Sequence, residues 1–240
     1  MQRPTVSVII PAYNEEKYIG DCLEALLRYA RSDLLEILVV DNASTDRTGA
    51  IAAGYEAVRV IREERKGVTR ARQRGFVEAR GELLAFLDAD TRIQEKWSAE
   101  LFKKFGADPS LACLSGPYVY YDFPPLLRLF GGLQWNILAP IFAWMFGYMA
   151  LAGNMVLPRT VLEKMGGFDT TIEFYGDDTD TARRARAFGR VQFSPWFYLF
   201  SSGRRFRNQG MINTAVTYAR AFFSEALFHR PPSSKAEDWR

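Results

Sequence analysis

The chain is poor in the residues that build zinc and redox sites. Its 240 residues include two cysteines, Cys22 and Cys113, and a single histidine, His229. The cysteines show no ligand or redox spacing, so we expect them to be small apolar residues in a helix and a strand. We place His229 on the surface of a terminal helix. A zinc site is therefore not expected, and a reducing compartment suits the chain.

Glycine-rich phosphate loops are also missing. No Gly-x-Gly-x-x-Gly follows the first apolar run, which disfavours a dinucleotide-binding fold, and the chain has no P-loop motif, Gly-x-x-x-x-Gly-Lys-Ser/Thr. The net charge of +3 is too small to indicate a nucleic-acid partner. The N-terminus carries Arg3 and then a strand-like run, without the pattern of a signal peptide.

The chain does contain enough apolar sequence for a substantial core. Hydrophobic residues make up 48% and charged residues 25% of it, as in ordinary globular proteins. The length fits one large domain, or one domain with an appendage.

Short apolar runs alternate with helical patterns through the first half of the chain. We predict strands at the runs 6–10, 36–40, 58–61, 83–87 and 111–119. We predict a first helix at 14–29, with Asn14 as its N-cap, and a second helix that begins after Thr45 or Asp46, either of which can be its N-cap. Two further helices are predicted at 67–79 and 97–105. This alternation indicates an α/β fold with a mainly parallel central sheet flanked by helices.

Two carboxylates follow the fourth of these runs. Residues 83–87 are apolar, and Asp88 and Asp90 come directly after them. In open α/β sheets this edge of the sheet is where ligands bind. Two hard oxygen ligands there suit Mg²⁺ or Mn²⁺ carrying a diphosphate. Such pairs are also frequent in solvated turns, so the pair indicates a metal only together with its context.

The second half contains two apolar segments. Residues 129–158 carry no charge and are interrupted by glycine and proline. They predict a segment that dips into or lies on a bilayer, a core or dimer contact, or a membrane span. Residues 210–229 show an amphipathic helical pattern. This pattern predicts a helix docked on the core, or an in-plane membrane helix preceded by Arg204, Arg205 and Arg207.

At this point the sequence resembles the family 2 glycosyltransferases, over roughly residues 5–195. Its first motifs are Val-Ser-Val-Ile-Ile-Pro-Ala-Tyr-Asn-Glu-Glu from Val6, Val-Val-Asp-Asn-Ala-Ser-Thr-Asp from Val39, Gly67 with Ala71-Arg72 and Gly75, and Phe-Leu-Asp-Ala-Asp from Phe86. Gly-Gly-Phe-Asp from Gly166 and Asp-Asp-Thr-Asp-Thr-Ala-Arg-Arg from Asp177 follow. The resemblance implies the GT-A fold and inverting transfer of a sugar from a nucleoside diphosphate donor.

The resemblance also implies roles for individual residues. The residues it assigns to the nucleotide and donor pocket are Pro11, Ala12, Tyr13, Glu15, Asp41, Ser44, Gly67, Arg72, Asp88 and Ala89. For Asp41, capping of the following turn is the alternative. Asp90 would ligate Mn²⁺ or Mg²⁺ and so help the diphosphate to leave. No third protein ligand is evident, so phosphate oxygens and water would complete the metal shell.

Asp178 matches the family's catalytic base, which deprotonates the acceptor hydroxyl. Stabilisation at a helix N-terminus is the alternative for Asp177, Asp178 and Asp180. The family's pair is usually Glu-Asp, and the Asp-Asp pair here leaves Asp177 with a supporting role. Other supporting or acceptor-side residues are Gly153, Asn154, Arg184 and Arg204. An arginine of residues 204–207, or Arg72, adds charge near the leaving group, with a solvated basic face as the alternative.

These observations predict an inverting transferase on the cytoplasmic face of the membrane. The expected donor is a UDP- or GDP-sugar, and the expected acceptor is lipid-linked and belongs to cell-envelope glycan synthesis. A soluble transferase for a polysaccharide or protein acceptor, and a non-catalytic nucleotide-sugar-binding subunit, are the alternatives. The missing Gln-x-x-Arg-Trp signature favours addition of single sugars.

We expect three parts along the chain. Residues 1–200 form the transferase domain, with a nucleotide-binding half at 1–120 and an acceptor half at 121–200. Residues 201–230 form an amphipathic helix, and 231–240 form a disordered tail.

Overall fold

The computed structural model describes residues 3–172 and 175–228. His229 and the tail predicted at 231–240 lie outside the described residues. The strands, in chain order, are β1 (Val6–Ala12), β2 (Glu36–Asp41), β3 (Val58–Arg62), β4 (Leu83–Leu87), β5 (Thr91–Ile93), β6 (Leu111–Ser115), β7 (Tyr118–Tyr120), β8 (Asn154–Pro158), β9 (Arg190–Phe193) and β10 (Leu199–Ser201).

Helices connect these strands, with short 3₁₀ turns at Arg31–Asp33 and Arg186–Phe188. The α-helices are α1 (Ile19–Tyr29), α2 (Thr48–Ala53), α3 (Val68–Glu78), α4 (Trp97–Ala107), α5 (Pro125–Phe146), α6 (Arg159–Met165), α7 (Asp177–Ala185), α8 (Arg204–Gln209) and α9 (Met211–Phe228).

The strands form a large sheet and a small one. The large sheet has the order β3-β2-β1-β4-β8-β6-β9, and its first four strands are parallel. The small sheet has the order β5-β10-β7. Because β1 to β4 run the same way, the residues that follow them meet at one edge of the sheet. The mainly parallel α/β fold predicted from the sequence is confirmed.

The large sheet is buried on both faces, as its continuous apolar runs require. Alternate side chains of β1 enter different cores, with Val8 and Ile10 on one face and Ile9 on the other. The first core includes Leu23 and Leu26 of α1, and the second includes Phe76 of α3.

Strand β8 runs antiparallel between β4 and β6. Its first residue, Asn154, pairs with Leu87, the last residue of β4. An antiparallel partner brings its beginning to the edge where β4 ends. Gly153 therefore lies beside Asp88, whose amide donates to the Gly153 carbonyl at 3.4 Å.

Two predicted boundaries were wrong in the first half. Helix α1 begins at Ile19, and Asn14 does not cap it. Asn14 instead has a left-handed backbone with φ of 53°, a conformation that asparagine tolerates, and its side chain accepts from the Thr45 amide at 2.9 Å. The predicted strand 111–119 is two strands in different sheets, separated by Gly116 and Pro117.

The apolar segments of the second half are also subdivided. The uncharged segment 129–158 comprises most of α5, a loop after Gly147, and the buried central strand β8. Gly147 ends α5 with a left-handed φ of 77°. The single helix predicted at 201–230 is instead β10's last residue followed by α8 and α9, which Gly210 separates with a φ of 81°. Among the described residues, none of the helices combines the length and the hydropathy that crossing a membrane requires.

Candidate active site at the carboxyl edge of the sheet

The turn after β4 presents Asp88 and Asp90. The Asp88 carbonyl accepts hydrogen bonds from the Thr91 hydroxyl at 2.7 Å and the Thr91 amide at 3.1 Å. Ala89 between the two acids is buried, which leaves the carboxylates as the polar groups of this turn. The Asp88 side chain is 39% exposed and the Asp90 side chain 14%. The turn therefore places one accessible and one largely buried carboxylate at the ligand-binding edge.

Arg72 of α3 connects this turn to α7. Its side chain is buried, and Nη2 donates to Asp88 Oδ1 at 3.1 Å while Nη1 donates to Asp177 Oδ2. The planar, rigid fork of N–H donors lets one guanidinium bridge two carboxylates at a fixed relative position. The structure thus brings Arg72, Asp88 and Asp177 together, although 105 residues separate Arg72 from Asp177.

Asp177 and Asp178 lie in the first turn of α7, after Gly176. Asp178 Oδ1 accepts from the Thr179 amide at 2.7 Å and from the Thr179 hydroxyl at 3.2 Å. Burial raises the pKa of Asp178, and it raises the pKa of Asp177 to about 7 against the opposing charge of Arg72. These carboxyls therefore hold protons more tightly than ordinary aspartates, which is the property required of a general base working near neutrality.

Arg204, the first residue of α8, contacts both Glu15 and the Asp90 carboxylate. Its Nη1 and Nη2 donate to the two carboxylate oxygens of Glu15 at 2.8 and 2.6 Å. Its Nε lies 3.1 Å from Asp90 Oδ2, and its guanidinium lies over the Tyr18 ring at 4.5 Å. Burial raises the pKa of Asp90 to about 7, although Arg204 opposes the shift. Arg204, predicted as a supporting residue, is thus in direct contact with a predicted donor residue and the predicted metal ligand.

The predicted nucleoside pocket lies at the ends of β1 and β2. Pro11 and Ala12 are the buried last residues of β1. Tyr13 follows, with the Lys66 ammonium over its ring at 4.5 Å and donating to its hydroxyl at 2.7 Å. Ser44 Oγ accepts from the Asn14 amide at 3.1 Å, which joins the loops that follow the two strands.

Asp41 uses both of its carboxylate oxygens within the protein. Oδ1 accepts from the Ser44 amide at 3.0 Å, and Oδ2 accepts from Arg62 Nη1 at 3.0 Å. Asp41 therefore caps the turn that follows it, which is the alternative role that the sequence offers for this residue. Gly49 leaves room for the Asp41 carboxylate, since a Cβ atom at position 49 would lie 2.8 Å from Asp41 Oδ2.

Asn42 is a buried residue of this pocket that the sequence interpretation missed. Its amide nitrogen donates to the carbonyls of Glu63 and Arg65 at 3.1 and 2.8 Å. Its oxygen accepts from the Gly67 amide at 2.8 Å. Asn42 thereby holds the loop between β3 and α3, including predicted Gly67, whose φ of 140° suits glycine. The signal available in the sequence was an asparagine directly after Asp41 at a strand end.

Gly153 and Asn154, predicted as supporting residues, have different environments. A Cβ atom at Gly153 would overlap the Asp88 carboxylate and lie 2.6 Å from the Tyr118 hydroxyl. Gly153 therefore permits the close approach of β8 to the acidic turn. The Asn154 side chain is fully buried and donates to the backbone carbonyls of Phe197 and Gly116 at 2.6 and 3.2 Å. Its side chain fastens strand β8 to neighbouring loops.

Arg184, the last predicted supporting residue, points away from this cluster. Its Nη1 donates to Asp180 Oδ2 at 3.4 Å, the i to i+4 pair expected on the helix surface. Its Nη2 donates to the Met165 carbonyl. These contacts hold α7 against the end of α6. Arg184 therefore helps to fix the position of the helix whose first turn carries Asp177 and Asp178.

A group of aromatic side chains lies within range of the acids Asp88 and Asp90. Burial raises the pKa values of Tyr218 and Tyr120, and the negative charges of Asp88 and Asp90, respectively, add to this rise. The Tyr120, Phe123 and Phe206 rings contact one another, with centroids 4.9 to 5.7 Å apart. The Tyr218 ring lies 6.3 Å from Phe206 and 6.1 Å from Tyr175. Arg205 donates to the Tyr218 hydroxyl. The sequence showed that aromatic residues are concentrated after position 118, but not that these five converge.

The oxygen ligands at this edge fit a divalent ion that is bound together with a diphosphate. Asp88 and Asp90 supply hard carboxylate oxygens, while no group of three or more potential ligating residues was found among the described residues. Mg²⁺ and similar ions are commonly held by one or two carboxylates, with water and phosphate oxygens as the remaining ligands. The buried Asp90 carboxylate would also gain from a compensating positive charge.

Comparisons with known proteins show which proteins this chain is similar to. The curated relatives include the probable glycosyltransferase YdaM of Bacillus subtilis (strain 168), 30% identical over 209 residues that make up 80% of this chain and 49% of YdaM. The putative teichuronic acid biosynthesis glycosyltransferase TuaG of the same organism is 36% identical over 107 residues, 42% of this chain and 40% of TuaG. The chain thus spans about half or less of the length of these relatives.

A similar solved structure is the mannosyltransferase PcManGT of Pyrobaculum calidifontis in complex with GDP-Man and Mn²⁺. It has a TM-score of 0.67 and 25% identity, and the match covers 92% of this chain and 65% of that one. The fold is the GT-A fold, as predicted. The model of the family described as Glycosyl transferase family 2 matches residues 7–146. The chain therefore belongs to glycosyl transferase family 2, a family of transferase enzymes.

Proposed function

We propose that this chain transfers a single sugar from a UDP- or GDP-sugar to a lipid-linked hydroxyl or phosphate acceptor, with inversion at the anomeric carbon. The proposed setting is cell-envelope glycan synthesis at the cytoplasmic face of the membrane. Family membership supports the reaction class. The naming of TuaG for teichuronic acid biosynthesis supports the setting, and the GDP-Man in the PcManGT complex supports the donor class.

The observation that carries the proposal is the bridge that Arg72 makes between Asp88 and Asp177. Asp88 belongs to the turn at the donor edge, and Asp177 immediately precedes the candidate base Asp178. One buried guanidinium therefore sets the distance between the donor turn and the base. Inverting transfer needs such an arrangement, because the base must approach the anomeric carbon opposite the departing diphosphate.

Asp178 is the proposed general base when the acceptor nucleophile is a hydroxyl. As the acceptor oxygen forms its bond to the anomeric carbon, Asp178 takes the hydroxyl proton. The bond from the anomeric carbon to the diphosphate oxygen breaks, and the diphosphate keeps the electron pair. The Thr179 amide and hydroxyl donate to Asp178 Oδ1, which holds the carboxylate in one orientation for this transfer.

The donor is proposed to lie along the carboxyl edge of the parallel strands. Tyr13, Asp41 and Ser44 stand at the nucleoside end, and Asp88 and Asp90 at the diphosphate end. Asp90, with Asp88 nearby, would hold Mn²⁺ or Mg²⁺, and the chemistry supplied by such an ion is neutralisation of the leaving diphosphate. Arg72 and Arg204 add fixed positive charge on either side of the same acids.

The experiment is acceptor-dependent nucleotide release from a panel of UDP- and GDP-sugars, with Mn²⁺ or Mg²⁺ and undecaprenyl phosphate or a hydroxyl-bearing lipid-linked sugar. Wild type is compared with Asp178→Asn and with Glu95→Gln, an exposed acid on the loop before α4. We expect release by wild type and by Glu95→Gln, and its loss in Asp178→Asn with the hydroxyl acceptor.

The outcomes separate the alternatives. Release on a water-soluble oligosaccharide or protein acceptor, equal to that on the lipid, would contradict the lipid-linked acceptor. Metal-dependent nucleotide binding without turnover on any acceptor would contradict the transferase proposal and favour a binding subunit. A product with the same anomeric configuration as the donor sugar would contradict inversion.

A further inference from the structure

Helix α9 leaves most of its described apolar side chains exposed. Among its described side chains, the buried ones are Thr214, Ala221 and Glu225. Glu225 accepts from Arg183 Nε of α7 at 3.1 Å. The apolar residues predicted to pack on the core are instead largely exposed, including Met211, Ile212, Ala215, Val216, Ala219 and Phe223. Helix α9 therefore contacts the domain through its buried side chains and Phe222, while most of the apolar stripe has an exposed position.

Helix α5 presents a second exposed apolar stripe. Ile137, Ile141, Trp144 and Met145 follow helical spacing and are all exposed, with Trp144 at 85%. The end of α5 adjoins α9, because the Phe146 ring lies 5.3 Å from the Phe222 ring and 6.3 Å from the Phe223 ring. We define the apolar face as Ile137, Ile141, Trp144 and Met145 of α5 with Ile212, Val216 and Phe223 of α9.

The exposed charge around the apolar face has one sign. Helices α5 and α8 contain no acidic residue, and the single acid of α9, Glu225, is buried and paired. The exposed charged residues of these helices are Arg128, Arg220 and Arg207, of which Arg207 is paired with Asp122 at 2.7 Å. Arg186, also exposed, donates to the Phe146 carbonyl at the end of α5. A mixed apolar and cationic surface of this kind is complementary to an anionic lipid surface.

We infer that the apolar face inserts into the headgroup region of a bilayer that contains anionic phospholipid. Trp144 suits this depth, because its ring combines an apolar body with a polar N–H group. A second copy of the chain is a poorer occupant. A two-fold interface would bring the same arginines of both copies together without exposed acids on these helices to pair with them.

The bound orientation explains how a lipid acceptor would reach the site. Tyr218 also lies on α9, and its ring is 6.1 Å from Tyr175 and 6.3 Å from Phe206. Helix α9 would therefore have the membrane on one side and, through Tyr218, the aromatic side chains Tyr175 and Phe206 on another, where a lipid-linked acceptor would enter. This part of the inference deepens the proposed function and rests on it, whereas the docking itself does not.

The test is binding of the chain to vesicles of phosphatidylcholine with and without phosphatidylglycerol, measured by co-sedimentation. We expect binding to be at least about tenfold tighter when phosphatidylglycerol is present, since each arginine near an anionic surface contributes roughly a factor of five. Trp144→Ser and Ile212→Ser should each weaken binding by roughly tenfold, because each removes a large apolar side chain from the inserted face.

The matched control is Trp196→Ser. Trp196 is 74% exposed, a fraction similar to the 85% of Trp144, but it belongs to none of these helices. Brominated phospholipids provide a second measurement, since they quench tryptophan at the depth of insertion. Quenching should persist in Trp196→Phe and fall in Trp144→Phe. Melting curves of all variants report whether the fold is retained, which we expect because the changed side chains are exposed.

Three results would overturn the inference. They are absence of vesicle binding by wild type, equal weakening by Trp196→Ser and Trp144→Ser, and a lipid-free dimer that Ile212→Ser converts to a monomer. Vesicle binding requires no turnover. Binding without transferase activity would therefore support docking while contradicting the proposed function, and activity without binding would do the reverse.

Discussion

Arg204 and Glu15 are 189 residues apart in sequence, and both terminal nitrogens of the guanidinium donate to the Glu15 carboxylate, at 2.6 and 2.8 Å. Glu15 follows β1, and Arg204 begins α8. The same arginine reaches Asp90 at 3.1 Å. The C-terminal helices are thus fastened to both the predicted nucleoside pocket and the predicted metal ligand, so their position and the state of the site are linked.

A double-mutant cycle measures this link. We expect Arg204→Ala and Glu15→Gln to be coupled by about 2 kcal/mol in the free energy of unfolding, because either change removes a two-point ion pair at a largely buried position. The more exposed pair Arg207 and Asp122, 2.7 Å apart, is the control, with expected coupling below about 1 kcal/mol. Equal couplings in denaturant titrations would show that the Glu15 contact has no special role.

Exchanging either acid of α7 for asparagine should separate stability from catalysis. Asp177→Asn removes a charged partner from buried Arg72, so we expect a loss of about 3 kcal/mol in the free energy of unfolding. Asp178→Asn removes a desolvated charge and retains an oxygen that can accept from Thr179, so stability should be unchanged or higher. Its transfer rate to a hydroxyl acceptor should fall at least about a hundredfold.

Denaturant titration and nucleotide release, run on the same preparations, check both variants. If Asp178→Asn were the less stable of the two and Asp177→Asn remained fully stable, the positioning role would belong to Asp178 and our assignment would be reversed.

The pH dependence of transfer to a hydroxyl acceptor should report Asp178. Burial raises the pKa of Asp178, so its protonated form, which cannot accept a proton, persists to a higher pH than in an ordinary aspartate. We therefore expect kcat/KM to fall as the pH is lowered through a midpoint above about 4, the ordinary value. The residual rate of Asp178→Asn should lack this acid limb, and an identical limb in that variant would assign it to another group.

Gly153→Ala should damage the site without unfolding the protein. The new Cβ atom would overlap the Asp88 carboxylate and crowd the Tyr118 hydroxyl, so the acidic turn must move. We expect donor affinity to weaken at least about tenfold, since a shift of about an ångström in a positioned group is costly. Calorimetric titration with the nucleotide sugar and Mn²⁺ measures the change.

Gly106→Ala is the control for this substitution. Gly106 lies in α4, where an added Cβ meets nothing within 4 Å. An alanine there should leave donor affinity unchanged and raise the free energy of unfolding by up to about 1 kcal/mol, because glycine is unfavourable within a helix. An equal loss of donor affinity in both variants would show that the close approach of Gly153 to Asp88 has no specific effect on donor binding.

The sequence alone determined the strands of the parallel half of the sheet and the acids that follow them. The runs at 6–10, 36–40 and 83–87 all lie within strands, because continuous apolar, β-branched sequence is stable only when both faces of a strand are buried. The order of strand and helix then sets the carboxyl edge, so the sequence alone places Asp41, Asp88 and Asp90 at it. The resemblance to the family rests on these motifs, and the match of the family model to residues 7–146 shows the membership.

Only the tertiary structure decided which distant residues meet. Hydrophobic periodicity indicates that a residue is buried or exposed, but not what covers it, so the apolar stripe of α9 was as compatible with a core contact as with the exposed position it has. The contacts of Arg204 with Glu15 and of Arg72 with Asp177 depend on how α8 and α7 pack against the sheet. Ion pairs act over a few ångströms in space and leave no periodic pattern in the sequence, which is why they appear only once the chain is folded.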